Sequence, residues 1–103
     1  MTKKAIMMNP EDNVATALHP IAAGDEVEIL SSSQEVVRNV RAKDSLPLGH
    51  KIALTELKRG ADVKKYGVTI GSAIKKIAPG EHVHIHNIES RRLPSTKHML
   101  GEK

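Results

Sequence analysis

The 103-residue chain has no cysteine. Disulfide staples, thiolate-held iron–sulfur clusters and cysteine nucleophiles are therefore excluded. It also lacks tryptophan and phenylalanine, and Tyr66 is its single aromatic residue. That argues against a nucleic-acid binder of the kind that stacks bases on exposed rings. It also leaves Val, Ile, Leu, Met and Ala to build the core. No apolar run approaches the roughly 18 residues of a membrane-spanning helix. Met1-Thr-Lys-Lys leads into too few apolar residues for a secretion signal. A cytoplasmic protein with no membrane partner is the expectation. No GxGxxG or Walker pattern surrounds Gly67 and Gly71, so they read as turn glycines or as points of close backbone approach. No Ser–His–Asp arrangement can be argued from spacing.

The net charge of +4 is unevenly placed. Residues 1–50 hold 5 Lys/Arg against 7 Asp/Glu, and residues 51–103 hold 11 against 5. The basic half suits carboxylates or phosphates, but it is not dense enough to make nucleic acid the expected partner. The length allows one domain.

Short alternating segments fill most of the chain. Lys4 to Met8, Val14 to Leu18, Glu26 to Leu30, Glu35 to Arg41 and Lys51 to Leu54 read as strands separated by turn residues, which predicts a mostly β domain. Three segments share one pattern: Ala17-x3-Ile21-x2-Gly24-x2-Val27, Ala53-x3-Leu57-x2-Gly60-x2-Val63 and Ala73-x3-Ile77-x2-Gly80-x2-Val83. Each reads as a strand end, a reversal hinged on glycine and an outgoing strand. Copies start 36 and then 20 residues apart, too irregular for a solenoid. Ser72 is placed to cap a short helix over Ala73 to about Ile77. Residues 1–90 form the domain. Residues 91–103, with Pro94 and few apolar side chains, form a flexible or partner-docking tail.

Three of the six histidines alternate in Gly80-Glu81-His82-Val83-His84-Ile85-His86-Asn87. A strand from His82 to Ile88 would put Val83 and Ile85 in the core and the three imidazoles on the outer face. The row is either a solvated face or part of a metal site. Adjacent histidines would stand roughly 6.6 Å apart, and the full row spans about 13 Å, too long for one ion. A site here would therefore use two of the three, with other ligands from elsewhere. Glu81 and Glu89 would lie on the opposite face. His50, between Gly49 and Lys51, serves either a ligand or a tight loop.

Asp12-Asn13-Val14-Ala15, Gly49-His50-Lys51-Ile52-Ala53-Leu54, Lys65-Tyr66-Gly67 with Ile70-Gly71, and Gly80 to Asn87 occur in that order. In this they resemble the small N-terminal domain of the altronate and galactarate dehydratases. The same domain is similar to the separate small subunit of sulfolactate sulfo-lyase. The resemblance covers residues 4–90. It implies a single SAF-type domain of β-clip fold with short helical turns. It also implies that the chain acts with a separate large dehydratase subunit, and is not active alone, in eliminating water or sulfite from a sugar acid or other hydroxy acid. A divalent metal (iron, manganese or magnesium), shared with the partner chain, would assist. His84 and His86 would serve as catalytic residues and metal ligands. Lys51, His50, Asn13 and Asn87 would bind substrate. Such a site is incomplete in the lone chain, although a homo-oligomer could complete it by symmetry. The alternative function is a non-catalytic β-clip module that grips a sugar acid, a metal or a protein.

Overall fold

A computed structural model describes residues 2–90. The polypeptide forms nine strands and, among these residues, no helix. The strands are β1 (Lys3–Ile6), β2 (Val14–Ala17), β3 (Glu26–Leu30), β4 (Val36–Arg41), β5 (Lys51–Ala53), β6 (Asp62–Lys65), β7 (Val68–Ala73), β8 (His82–Val83) and β9 (Ile88–Ser90). Six of them make one sheet in the order β4-β3-β1-β2-β5-β8, and three make a second in the order β6-β7-β9. β1 and β3 are parallel, and the other pairings are antiparallel. This is the mostly β architecture expected of a β-clip domain. The tail after Ser90 lies outside the described residues.

The repeated pattern is the device that folds the chain. It occurs four times among the described residues. The additional copy, Ala42-x3-Leu46-x2-Gly49-x2-Ile52, carries Ile where the others carry Val. The four corners work in two pairs. Ile21 and Leu46 exchange both backbone hydrogen bonds, at 2.9 and 2.8 Å, and so do Leu57 and Ile77, both at 2.8 Å. In the first pair Gly24 N–H donates to the Ala42 carbonyl and Gly49 N–H to that of Ala17; in the second, Gly60 N–H donates to Ala73 and Gly80 N–H to Ala53. Each glycine has φ between 88° and 93°, the left-handed region where a side chain is costly.

Each pair encloses its own core. Ala17, Ile21, Val27, Ala42, Leu46 and Ile52 lie in one buried cluster. Ala53, Leu57, Val63, Ala73, Ile77 and Val83 lie in the other. β2 and β5 run between them: Ala15 and Ile52 belong to the first cluster, Val14 and Ala53 to the second. That explains why these strands read as almost continuously apolar rather than alternating.

Two expectations are corrected. Ser72 does not cap a helix; Val68–Ala73 is a strand, and the residues after it form the last corner. The pairing of Leu57 with Ile77 fixes that segment in extended form, overriding its weak local preference for helix. The strand proposed for His82 to Ile88 ends at Val83. Val83 is fully buried as expected, but Ile85 is 80% exposed, at the tip of a turn that carries the chain from one sheet to the other.

Gly24 and Gly80 make a paired test of the corners. A Cβ on Gly24 meets nothing within 4 Å, whereas one on Gly80 would run into the Arg41 carbonyl oxygen. Gly24→Ala should cost about 1–2 kcal/mol from backbone conformation alone. Gly80→Ala should cost about 2–3 kcal/mol more, because the packed corner above it must move. Urea denaturation of both variants measures the difference; equal losses would show that the corners do not press on each other there.

Candidate functional site

β5 and β8 are antiparallel, with Ile52 opposite His82 and Lys51 opposite Val83. One step further along the same register, His50 stands opposite His84. The ladder thus brings together imidazoles 34 positions apart in sequence. The rings of His50 and His84 stack at 4.3 Å, and those of His82 and His84 stack at 5.5 Å, nearly parallel at 9°. His50 Nδ1 lies 2.9 Å from His82 Nε2, a hydrogen bond in which one ring donates and the other accepts. His86 is exposed, with its ring 5.2 Å from that of His82.

Local chemistry explains why His50 is free to join this group. The residue after the glycine of each corner is Asp25, His50, Ala61 or Glu81. Asp25 Oδ2 accepts a hydrogen bond from Ala22 N–H at 2.8 Å, and Glu81 Oε1 accepts one from Ala78 N–H at 3.0 Å. In the corner of His50 the equivalent residue is Pro47, which has no N–H to cap. The side chain at position 50 is released from that duty.

The backbone beneath the cluster is tied down from three sides. His82 N–H donates to Asp44 Oδ2 at 2.9 Å. His84 N–H donates to Asn87 Oδ1 at 3.0 Å, while Asn87 Nδ2 donates to the His82 carbonyl at 2.7 Å. The His50 carbonyl accepts from Ala17 N–H at 2.8 Å. Asn87 is 2% exposed, and its amide closes the turn over residues 84–87. This is why the histidine strand breaks: the amide bonds within its own turn replace the next ladder bonds.

The remaining residues expected at the site are placed elsewhere. Asn13 accepts from Lys64 N–H at 2.8 Å and donates to the Asp62 carbonyl at 2.9 Å, joining β2 to β6. Lys51 points to the opposite face of β5 from His50 and Ile52. It is partly buried; burial first, and the nearby Lys65 second, hold its ammonium below the ordinary lysine pKa. Asp12 is buried and accepts from the N–H groups of Asn9, Tyr66 and Gly67, fixing two turns at once. Tyr66, with φ of 59°, sits at the tip of the β6–β7 hairpin and is 58% exposed. Gly71 lets β7 lie against the Glu89 carbonyl of β9, so its close approach is to a strand.

A nitrogen-only donor set distinguishes the cluster. The ligand atoms of His50, His82 and His84 all lie within 4.8 Å of one another, close enough for a group of metal ligands to form by side-chain adjustment. Sequence spacing pointed to His82, His84 and His86 but placed His50 only as a loop or substrate residue. The signal that identifies it is the corner pattern read with Ile in place of Val.

Residues 3–91 match the altronate/galactarate dehydratase SAF domain. The chain is 43% identical over 82 residues to the altronate dehydratase of Escherichia coli strain K12, an overlap of 80% of this chain and 15% of that protein. It is 39% identical over 88 residues to the altronate dehydratase of Bacillus subtilis strain 168, covering 85% of this chain and 16% of the relative. It is 36% identical over 72 residues to the (2R)-sulfolactate sulfo-lyase subunit alpha of Chromohalobacter salexigens, covering 70% of this chain and 77% of that subunit. The chain therefore spans a small part of the dehydratases and most of the length of the sulfo-lyase subunit.

Burial of the imidazoles, and then their proximity, sets a pH dependence. His50 is held below the ordinary histidine pKa of 6.5 by partial burial, then by His84 and Lys51. His82 is held below it by burial, then by His86, His50 and His84, with Asp44 acting in the opposite direction. The unfolded chain thus binds protons at a pH where the folded chain does not. Stability should be fully present above about pH 6.5 and fall as pH drops through the lowered folded-state values. Urea midpoints should decline from about pH 7.5 to 5.5, and the double substitution of His50 and His82 by Asn should flatten the decline. An equally steep decline in that variant would contradict the assignment.

Proposed function

The chain belongs to the altronate/galactarate dehydratase SAF-domain family, and we propose that it is the small subunit of a cytoplasmic, metal-dependent hydroxy-acid lyase. The single observation that carries this reading is the convergence of His50, His82 and His84 on one side of a domain of that family. A separate large chain supplies the rest of the active site. The name of one relative supports this: it is a subunit alpha, and the aligned stretch covers 77% of it.

The reaction class is β-elimination from a sugar acid or related hydroxy acid. A base removes the proton on the carbon bearing the carboxylate. The electron pair forms the new carbon–carbon double bond, and water or sulfite leaves from the adjacent carbon. The resulting enol takes up a proton on the carbon that lost the leaving group and releases its hydroxyl proton, giving the keto acid. A bound divalent cation, when present, stabilises the negative charge that develops on the carboxylate side. The imidazoles of this chain hold that cation or carry protons at the substrate, and those whose pKa is lowered by burial and then by their neighbours are suited to both tasks. Its exposure beside His82 supports a role for His86 in exchanging protons with a substrate held by the large chain. Lys51, on the opposite face of β5 from His50, adds only to the long-range positive potential that favours an anionic substrate.

Mixing this chain with its large partner, a divalent metal and candidate hydroxy acids tests the proposal. Keto-acid formation should require both chains. His84→Ala should lower turnover by about 100-fold or more, in the range of a lost acid–base group or metal ligand, while the urea midpoint changes little. A large chain that is fully active alone would refute the subunit reading.

A further inference from the structure

We propose that His50, His82 and His84 form a self-contained three-imidazole site for a late first-row divalent transition metal, built by this chain alone. The role of that site in turnover rests on the lyase reading above; the binding itself does not.

Three observations lead to it. First, the ligand atoms of the three residues are within 4.8 Å of one another. Nitrogens bound about 2.1 Å from one tetrahedral ion stand about 3.4 Å apart, so closure needs side-chain adjustments of about 1–1.5 Å and, where His50 Nδ1 and His82 Nε2 are the ligands, loss of the proton they share. Second, the backbone at each ligand is fixed by a different partner: Ala17 N–H on the His50 carbonyl, Asp44 on His82 N–H and Asn87 on His84 N–H. Such restraint prepays the ordering of the ligands. Third, the carboxylates beside the cluster are engaged with backbone. Asp44 accepts from His82 N–H, and Glu81 accepts from Ala78 N–H.

The donor set decides the class of ion. Three neutral imidazoles favour zinc, iron(II), cobalt or nickel. Magnesium demands oxygen ligands in near-octahedral array and is disfavoured here. Three protein ligands also leave a fourth position open, the arrangement of a catalytic rather than a structural ion. The histidines come from the second corner, from β8 and from the turn after it, so a bound ion would tie the two corner pairs together.

Titrating the metal-free 103-residue chain with cobalt(II), zinc and magnesium, followed by calorimetry and by the visible spectrum of the cobalt form, tests the site. Cobalt and zinc should bind at one equivalent and raise the melting temperature, since the native state alone holds the assembled ligands. Magnesium should do neither. His50→Gln and His84→Gln should each weaken cobalt binding by at least about 100-fold, beyond the effect of losing an outer partner. His86→Gln should keep it within about threefold. Urea curves confirm folding of each variant. Should His50→Gln not fold, His84→Gln, in the exposed turn, decides. Unchanged binding in a folded His50→Gln or His84→Gln chain, equal loss in His86→Gln, or magnesium binding as tight as cobalt would overturn the proposal. A chain that binds no metal yet activates the large subunit would overturn this site and leave the lyase reading standing.

Discussion

The structure depends on the reciprocal hydrogen bonds between paired corners. A domain of this size with one aromatic residue has little apolar volume to specify a single arrangement. The corners supply specificity in its place. In each pair the glycine N–H of one corner reaches the alanine carbonyl of the other, and the two aliphatic residues at their centres exchange both backbone bonds. The Ala, the aliphatic and the Val or Ile of both corners then meet in one buried cluster. Backbone pairing and side-chain burial thus reinforce each other in a way that short strands alone would not.

The same bonds position the chemistry. The first corner pair sets the chain direction entering β5 and so the place of His50. The second pair sets β8 and so the places of His82 and His84. The β5–β8 ladder fixes the two against each other. Lys43 N–H donates to the Gly80 carbonyl at 2.8 Å, a further link between the pairs beside the histidines. The cluster is thus assembled from residues positioned by both pairs.

Much of this was legible in the residues. Strand-length alternation pointed to a mostly β domain, and the Ala–aliphatic–Gly–Val spacing identified three of the four corners. The fourth was hidden by a Val-to-Ile exchange that leaves its geometry unchanged. The course of the chain after Val83 was not legible, because Val83 and Ile85 alternate as they would in a strand. The outcome turned on Asn87, whose buried amide bonds two backbone groups of the turn, His84 N–H and the His82 carbonyl. Asn13 was obscured in the same way: an amide reads alike whether it bonds a sugar hydroxyl or the next strand. His50 was singled out, but its meeting with His84 depends on a strand register set by contacts far apart in sequence.

The central claim is that His50 and His84, held by different corner pairs, act as one unit in the proposed two-chain lyase. The most direct measurement is a double-mutant cycle on turnover by the two-chain enzyme, with His50→Ala, His84→Ala and the double variant compared at saturating substrate and metal. Residues that work as a unit are strongly non-additive, so the double variant should be about as impaired as the worse single one. Losses that multiply as though the two sites were independent, or full turnover in either single variant, would contradict the account.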